Sequence, residues 1–304
     1  MLTADLIAEC PPSLRAPLTR YLGGETSSEI TLMHFALGLG DAGLLRSLLA
    51  TLAGAAPQRK ELAELLRLAE TNMGHLGQVT ALAKDGLVAI PSGNDDAVTA
   101  IGEQFDRAVT VAPEASVALY SLGSADILDR ATSEIVSRLA EWDLLRPDAA
   151  VLDIGCGIGR LERALAPRVG TITAIDISSG MIEEARRRCG DLANVAFERC
   201  DGRNLAGYQD CSFDLLLAVD TFPYLYAADP EIPAQCLRDA ARVLRPGGAV
   251  VILNFSYRGD EDADRRDIEG LASSNGFTIR LAGTRDFTLW DGLTFLLTLP
   301  AHRE

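Results

Sequence analysis

The sequence has few histidines and no closely spaced cysteines. The 304 residues include only three histidines, and the six cysteines lie far apart without a single C-x-x-C pair. Zinc sites and disulfide frameworks both depend on conserved spacings of such residues. The sequence therefore predicts no metal site, and it indicates reduced thiols of the kind found in cytosolic proteins.

The chain also has little positive charge and no long hydrophobic run. Its formal net charge is −15 at pH 7, and so acidic a surface repels phosphate backbones and anionic lipid headgroups. No stretch reaches the ~20 apolar residues that span a bilayer, and the first residues lack the basic flank and apolar core of a signal peptide. We therefore expect a cytoplasmic protein whose partners are neither nucleic acids nor membranes.

A helical pattern dominates the first half of the chain. Aromatic residues make up only 6% of the sequence, whereas leucine and alanine are abundant. From residue 4 to about residue 145, apolar residues recur at intervals of three and four, as in amphipathic helices. One such stripe consists of Leu44, Leu45, Leu48, Leu49 and Leu52. We predict an all-helical N-terminal domain over residues 1–110 and a second domain over residues 111–304.

After residue 147 the pattern changes to short apolar runs that alternate with helical stretches. The predicted strands are 151–154, 171–177, 195–199, 213–219 and 249–255, and the predicted helices are 161–166, 179–189 and 233–244. This alternation indicates an α/β fold with a mostly parallel sheet that is covered by helices on both faces. Two further runs, 277–281 and 293–299, predict a closing antiparallel hairpin.

The most informative segment is the glycine-rich stretch V-L-D-I-G-C-G-I-G-R at residues 151–160. Glycine there permits a sharp turn and lets a ligand approach the backbone at the carboxyl end of the first strand. A dinucleotide fingerprint would place its third glycine at position 160, where this chain has Arg160. The turn therefore favours a ligand without phosphate, and packing alone is the other reason for glycine at these positions.

Acidic residues follow the turn at the ends of the next two predicted strands. Asp176 lies 21 residues after Gly155, where a carboxylate accepts hydrogen bonds from both hydroxyls of a ribose. Met181 follows in the next helix, where its flexible thioether can cover an adenine face. The carboxylate of Asp201, next to Gly202, can accept a hydrogen bond from an adenine amino group.

Together these segments resemble the class I S-adenosylmethionine-dependent methyltransferase family. The resemblance rests on the glycine-rich motif, the I-D-I-S acid, the D-G pair, the F-D-L-L-L fourth strand and the L-R-P-G-G turn. These motifs occur in the family's order and spacing from about residue 128 to residue 300. The resemblance implies a Rossmann-like seven-stranded sheet of order 3-2-1-4-5-7-6, an S-adenosylmethionine cofactor and S-adenosylhomocysteine as the product.

The same resemblance implies which residues bind the cofactor. They are Asp153, Gly155, Cys156 and Gly157 for the methionine and sugar portions, Asp176 for the ribose, Ile177, Met181, Asp201 and Gly202 for the adenine, and Val219 at the end of the fourth strand. The segment F-D-R-A at 105–108 resembles one that leads to a lid over the cofactor, which makes Tyr120 a further candidate contact. Plainer interpretations stay open: a helix cap for Asp176, a small buried filler for Cys156 and core packing for Tyr120.

We expect the methyl acceptor near the end of the fourth strand, at V-D-T-F-P-Y in residues 219–224. Methyl transfer from a sulfonium is an in-line displacement, so the protein mainly aligns the acceptor and excludes water. Asp220 is the candidate catalytic residue, as a base or as a partner for the acceptor or the cofactor's ammonium; its alternative is a structural turn carboxylate. Phe222, Tyr224 and Tyr226 are the candidate apolar walls.

Several functions remain compatible with the sequence. The fourth strand lacks the N-P-P-Y or D-P-P-Y text of enzymes that methylate bases or glutamine amides, which favours a small-molecule acceptor or a protein side chain. The helical domain is expected to cover the acceptor side and to mediate homodimerisation. The alternative is a catalytically silent cofactor-binding module that acts through its helical domain on a protein partner. A nicotinamide-dependent oxidoreductase is disfavoured by Arg160.

Overall fold

The computed structural model describes residues 3–84 and 97–301, which belong to two units interleaved along the chain. The described part of the first unit comprises residues 3–84, 108–134 and 287–291, and that of the second comprises 97–107, 135–286 and 292–301. The predicted domain boundary at residue 110 lies inside helix α7 (Ala97–Val111), which contributes residues to both units. The division into two functional domains at residue 110 therefore stays a prediction.

The first unit is helical, as its leucine pattern predicts. Besides residues 108–111 of α7 and residues 125–134 of α9 (Ala125–Glu141), it contains α1 (Thr3–Ala8), α2 (Pro12–Leu22), α3 (Ser28–Leu39), α4 (Ala42–Ala55), α5 (Lys60–Thr71), α6 (Met73–Lys84), α8 (Pro113–Val117) and the 3-10 turn Leu119–Ser121. Leu45, Leu49 and Leu52 of the predicted stripe are buried on one face of α4. Leu44 is 60% exposed, because it lies about 100° around the helix from Leu45.

The second unit is built on a seven-stranded sheet. Its strands are β1 (Ala150–Ile154), β2 (Thr171–Asp176), β3 (Val195–Arg199), β4 (Phe213–Val219), β5 (Leu244–Leu253), β6 (Thr278–Thr284) and β7 (Thr294–Thr298). Their order is β3-β2-β1-β4-β5-β7-β6. The first five strands pair in parallel, and β7 pairs antiparallel with both β5 and β6. This arrangement confirms the Rossmann-like sheet order and the closing hairpin.

Helices accompany this sheet along the chain. They are α9 (Ala125–Glu141), α10 (Arg160–Leu165), α11 (Ser179–Cys189), α12 (Phe222–Ala228), α13 (Glu231–Val243) and α14 (Glu261–Ser274). Leu216 of β4 and Val250 of β5 are fully buried in one core with Leu237 of α13 and Ile268 of α14. Consecutive residues of β4 are buried, although their side chains point to opposite faces, as expected for a sheet that is covered on both faces. Within residues 3–84 and 97–301, no helix combines the length and apolar character needed to cross a membrane.

The largest differences from the sequence prediction concern three elements. β5 begins at Leu244 rather than at residue 249, because Leu244 already pairs with Phe213 before a register shift. α12 and α14 were not predicted. The segment of α14 is rich in acidic residues and buries only Asp264, Ile268 and Ala272, a stripe too narrow to stand out in the sequence.

Candidate functional site

A glycine turn connects β1 to α10 and forms the centre of the candidate site. Gly155, Gly157 and Gly159 all have positive φ angles, of 77°, 55° and 81°. The N–H of Gly155 donates to the carbonyl oxygen of Ile175 at 2.7 Å, which ties the turn to β2. A Cβ on Gly155 would lie 2.1 Å from Oγ1 of Thr221. Both the backbone angle and the packing against Thr221 therefore require glycine at 155.

Packing also accounts for the third glycine of the turn. A Cβ on Gly159 would lie 2.9 Å from Sγ of Cys189, a residue of α11. The thiol of Cys189 in turn donates to the carbonyl oxygen of Gly159 at 3.2 Å. Helix α10 starts immediately afterwards at Arg160, so the turn closes one residue earlier than a dinucleotide fingerprint would.

The carboxylate of Asp176 lies directly against the glycine turn. Its Oδ2 accepts a hydrogen bond from the N–H of Gly157 at 3.0 Å, and its Oδ1 accepts one from the N–H of Ser178 at 2.9 Å. Burial raises the pKa of Asp176 to about 6, although these two N–H groups favour its charged form. Ser178, whose Oγ accepts from the N–H of Met181, is the cap of α11. The helix-cap role proposed as the alternative for Asp176 therefore belongs to Ser178.

A cavity of about 610 Å³ lies beside two of the predicted adenine residues, Ile177 and Asp201. This volume is within the range of small-molecule pockets. A Cβ on Gly202 would lie 2.5 Å from Cγ2 of Ile177, so glycine at 202 leaves room for that side chain. Asp201 is exposed, and its Oδ1 accepts from the N–H of Arg203 at 2.9 Å. Two residues predicted for the adenine, Ile177 and Asp201, thus line the same cavity.

Helix α7 supplies another wall of this cavity, which the sequence did not indicate. Gly102 and Asp106 are among its lining residues. Asp106 accepts hydrogen bonds from Oγ of Ser178 at 2.6 Å and from the N–H of Gly180 at 2.8 Å. Although burial opposes the shift, these hydrogen bonds lower the pKa of Asp106. The F-D-R-A segment therefore fixes the start of α11, and its predicted relation to a lid stays a prediction.

The residues that follow β4 and β5 carry polar side chains, in contrast to the glycines that follow β1. Asp220 and Asn254 directly follow these strands, and both have positive φ angles, of 53° and 65°. Nδ2 of Asn254 donates to Oδ1 of Asp220 at 2.7 Å, and the hydroxyl of Tyr257 lies 3.3 Å from the same oxygen. The Asn254 side chain also accepts from the N–H of Leu293 at 3.2 Å. Asp220 is therefore held in one orientation by residues that the sequence did not single out.

Aromatic rings lie beside this carboxylate. The rings of Phe105 and Tyr224 are 4.9 Å apart between centroids, and those of Tyr224 and Tyr257 are 5.8 Å apart. Burial and then the charge of Asp220 raise the pKa of Tyr224 far above its ordinary value. Phe222 is instead fully buried in the core, and Tyr226 accepts a hydrogen bond from Arg258 at 2.7 Å. Of the three predicted wall residues, Tyr224 lies close enough to Asp220 for the carboxylate charge to affect its hydroxyl, which is already affected by burial.

Comparison with known proteins agrees with this geometry. Residues 151–248 match the family described as "Methyltransferase domain". The chain is 32% identical over 155 residues to Methyltransferase GfsG of Streptomyces halstedii, covering 49% of this chain and 54% of that relative. It is 37% identical over 133 residues to 27-O-demethylrifamycin SV methyltransferase of Amycolatopsis mediterranei, covering 42% and 46%. Residues 151–248 therefore belong to a methyltransferase domain.

The methyltransferase domain is also similar to a solved structure. Phosphoethanolamine N-methyltransferase 1 of Haemonchus contortus, in complex with phosphoethanolamine and S-adenosylhomocysteine, gives a TM-score of 0.55 at 19% identity. The match covers 69% of this chain and 50% of that one. At this level of identity the likeness concerns the fold. The chain spans about half the length of the two curated relatives.

The remaining predicted cofactor residues of the methyltransferase domain are mostly buried. Asp153, Cys156 and Met181 are 2%, 6% and 1% exposed. Burial raises the pKa of the Cys156 thiol well above its ordinary value, as expected of a small buried filler. Val219 ends β4, where it pairs with Leu253. The cofactor contacts of these residues stay predictions.

Tyr120 belongs to the first unit, in the 3-10 turn Leu119–Ser121. Its side chain is 4% exposed, which fits the interpretation as core packing. The predicted contact of Tyr120 with the methionine end of the cofactor is not tested by this placement and stays a prediction.

Proposed function

We propose that this protein is a methyltransferase that binds S-adenosylmethionine at the glycine turn and methylates a small molecule. The observation that carries the proposal is the hydrogen bond between the N–H of Gly157 and the carboxylate of Asp176. It brings the acid of the second strand to the bend of the first, at the edge of the sheet where ligands of α/β proteins bind. The match to the methyltransferase family supports the same conclusion.

The chemistry of the site fits a cationic ligand without phosphate. The carboxyl groups of Asp153 and Asp176 lie near each other at the turn: burial raises the pKa of Asp176, and the charge of Asp153 adds to this. Such a set repels a pyrophosphate and attracts an ammonium or sulfonium group. A nicotinamide dinucleotide is therefore disfavoured, and a difference spectrum with reduced nicotinamide tests this alternative.

Each part of the cofactor has a proposed set of partners. The proposed contacts are Asp153, Gly155, Cys156 and Gly157 for the methionine and sugar portions, Asp176 for the ribose hydroxyls, Ile177, Met181, Asp201 and Gly202 for the adenine, with Val219 and Tyr120 as further contacts. Asp176 accepts hydrogen bonds from hydroxyl groups best when it is ionised, because a carboxylate is acceptor-only. The cavity lined by Ile177 and Asp201 supports the adenine assignment.

We assign the acceptor to the ends of β4 and β5. The bound cofactor supplies an electrophilic methyl group, so the residues of this chain need to align the acceptor and exclude water. Asp220, held by Asn254, orients the acceptor atom and accepts a proton from an acceptor that must lose one. The rings of Tyr224 and Phe105 form an apolar wall beside it.

The acceptor is proposed to be a small molecule because one relative, at 37% identity, is named for its action on demethylrifamycin SV. The net charge of −15 supports the exclusion of nucleic acids. A cytoplasmic location and a homodimer formed through the helical domain remain part of the proposal. Size-exclusion chromatography with light scattering would report the oligomeric state.

The test is a turnover assay of the full chain with S-adenosylmethionine and fractionated metabolite extracts. We expect S-adenosylhomocysteine to form in at least one fraction, and an Asp220→Ala variant to lose most of that activity. Cofactor binding without turnover in any fraction would favour the alternative, a silent cofactor-binding module that acts on a protein partner. Absence of both binding and turnover would contradict the proposal itself.

A further inference from the structure

Two buried carboxyl groups face each other behind the glycine turn. Asp153 is on β1 and Glu162 is on α10, and they are close enough for the Asp153 charge to raise the pKa of Glu162, which burial already raises. Glu162 is completely buried and Asp153 is 2% exposed. Among the described residues, no hydrogen-bond donor is a partner of either carboxyl oxygen of Glu162 or of Oδ1 of Asp153. A buried carboxylate without a donor is strongly disfavoured, so this pair needs a proton or a cation.

The groups around the pair supply little compensation. Arg160 acts on Asp153, but Asp176 adds a further negative charge nearby. The thiol of Cys189 points at the carbonyl oxygen of Gly159, and that of Cys156 at the carbonyl oxygen of Gly157. Burial raises the pKa of Glu162 well above its ordinary value, and the charge of Asp153 adds to this. The pair therefore keeps one proton, which allows Glu162 to donate to Asp153.

We propose that Glu162 is a positioning residue for cofactor binding: it shares one proton with Asp153, and the pair releases this proton when the ammonium group at the methionine end of the cofactor binds. The inference rests on the proposed function, because Asp153 is the proposed contact of that end of the cofactor. A cation near two carboxyl groups favours their ionised forms. The O–H bond of Glu162 breaks, the proton passes to the buffer, and both carboxyl groups carry charge in the complex.

This coupling gives the sign of a pH effect. Binding that releases a proton becomes stronger as the pH rises, until the pair is ionised without ligand. In a Glu162→Gln variant the amide donates permanently to Asp153, so no proton is left to release. The variant and the wild type should bind alike at low pH, and the wild type should bind more tightly at high pH. Asp176 and the ammonium of the ligand also titrate, but they are present in both proteins and cancel in the comparison.

The experiment is calorimetric titration of S-adenosylhomocysteine into the full chain, in two buffers of different ionisation enthalpy. We expect the wild type to release more protons on binding than Glu162→Gln, in which only Asp176 and the ligand contribute. Between about pH 7 and about pH 8.5, the affinity of the wild type should rise about fivefold more than that of the variant. Glu183→Gln, an exposed change on α11, is the matched control and should behave as the wild type.

Each outcome decides one question. No binding of S-adenosylhomocysteine by the wild type overturns the proposed function. Binding without proton release by the wild type, or with the same pH dependence in Glu162→Gln, overturns the role of Glu162 and leaves the proposed function intact. If Glu162→Gln does not fold, Asp153→Asn removes the other half of the pair, and its proton release compared with that of the wild type decides.

Discussion

The carboxyl ends of two strand pairs in the same sheet are built in opposite ways. At β1 and β2 the chain bends through three glycines with positive φ angles, and backbone N–H groups meet one carboxylate, that of Asp176. At β4 and β5 the positive φ angles are those of Asp220 and Asn254, which carry polar side chains. The first end leaves room for a ligand against bare backbone, and the second presents fixed functional groups.

This difference separates the two tasks proposed for the site. A cofactor common to a whole family can be bound by the backbone and a few carboxylates, whereas the acceptor must be met by side chains peculiar to each enzyme. We therefore expect changes at the glycine turn to affect folding and cofactor binding strongly. Changes at Asp220 and Asn254 should affect turnover with little effect on cofactor affinity.

The largest effect is expected from Gly155→Ala. A methyl group there would meet Thr221 at 2.1 Å, at a φ angle that residues other than glycine disfavour. We expect a loss of about 3 kcal/mol in unfolding free energy, together with loss of cofactor binding. Gly270→Ala is the control: it lies in α14 with no atom within 4 Å of the new methyl group, and should be neutral or stabilising. Equal melting temperatures for both variants would refute the packing argument at the turn.

A smaller loss is expected from Asp176→Ala. We expect the affinity for S-adenosylhomocysteine to fall by about 1.5–3 kcal/mol, the cost typical of losing a charged hydrogen-bonding partner. Because burial raises the pKa of Asp176 to about 6, the wild-type affinity should also fall as the pH drops through 6, and the variant should lack this decrease. Asp191→Ala, an exposed carboxylate paired with Arg163, is the control. Unchanged affinity in folded Asp176→Ala would contradict the ribose assignment.

The Glu162→Gln variant should reveal the proton shared by Glu162 and Asp153 through the pH dependence of the free energy of unfolding, without any ligand. A carboxyl whose pKa is raised on folding stabilises the protein at low pH, and this contribution disappears as the pH rises through the raised value. Chemical denaturation should therefore show that the wild type loses about 1–3 kcal/mol more than the variant between about pH 6 and about pH 9. Parallel stability profiles for the two proteins would show that the pair does not hold a proton.

The smallest effect is expected from substitutions at Asn254. They test whether the carboxyl ends of β4 and β5 are separate from the cofactor site at the ends of β1 and β2. Asn254→Ala and Asn254→Gly both remove the donor to Asp220 and the acceptor of the Leu293 N–H, but only alanine is left at an unfavourable positive φ angle. We expect the alanine variant to be less stable than the glycine variant by about 1 kcal/mol. Calorimetry should give affinities for S-adenosylhomocysteine within about twofold of the wild type for both. A large loss of affinity would place Asp220 and Asn254 on the cofactor side.

Much of the sheet could be predicted because local and family signals coincide there. Strand 195–199, strand 213–219 and helix 179–189 have the bounds that their apolar patterns indicate. Asp176 lies against the glycine turn as expected, since the ends of two adjacent parallel strands meet at one edge of the sheet. The sheet order itself came from the family resemblance and not from periodicity.

The roles that the sequence did not predict depend on contacts between segments that are far apart in the chain. Asn254 acts through Asp220, 34 residues away, and its positive φ angle leaves no trace in the sequence. Glu162 looks like an ordinary polar residue of a helix, and only the fold brings it against Asp153. Phe222 resembled a pocket wall because it follows the fourth strand, yet the start of α12 turns it into the core. Side-chain direction after a strand is set by the next element, which was itself not predicted.

The central claim is that the glycine turn and its carboxylates form a site for an adenosyl sulfonium. Calorimetric titration of the wild-type chain with S-adenosylmethionine tests it most directly, since the measurement needs no knowledge of the acceptor. We predict a one-to-one complex of micromolar affinity, about −7 to −8 kcal/mol. Absence of binding heat at several temperatures, in a protein that melts cooperatively, would contradict the account.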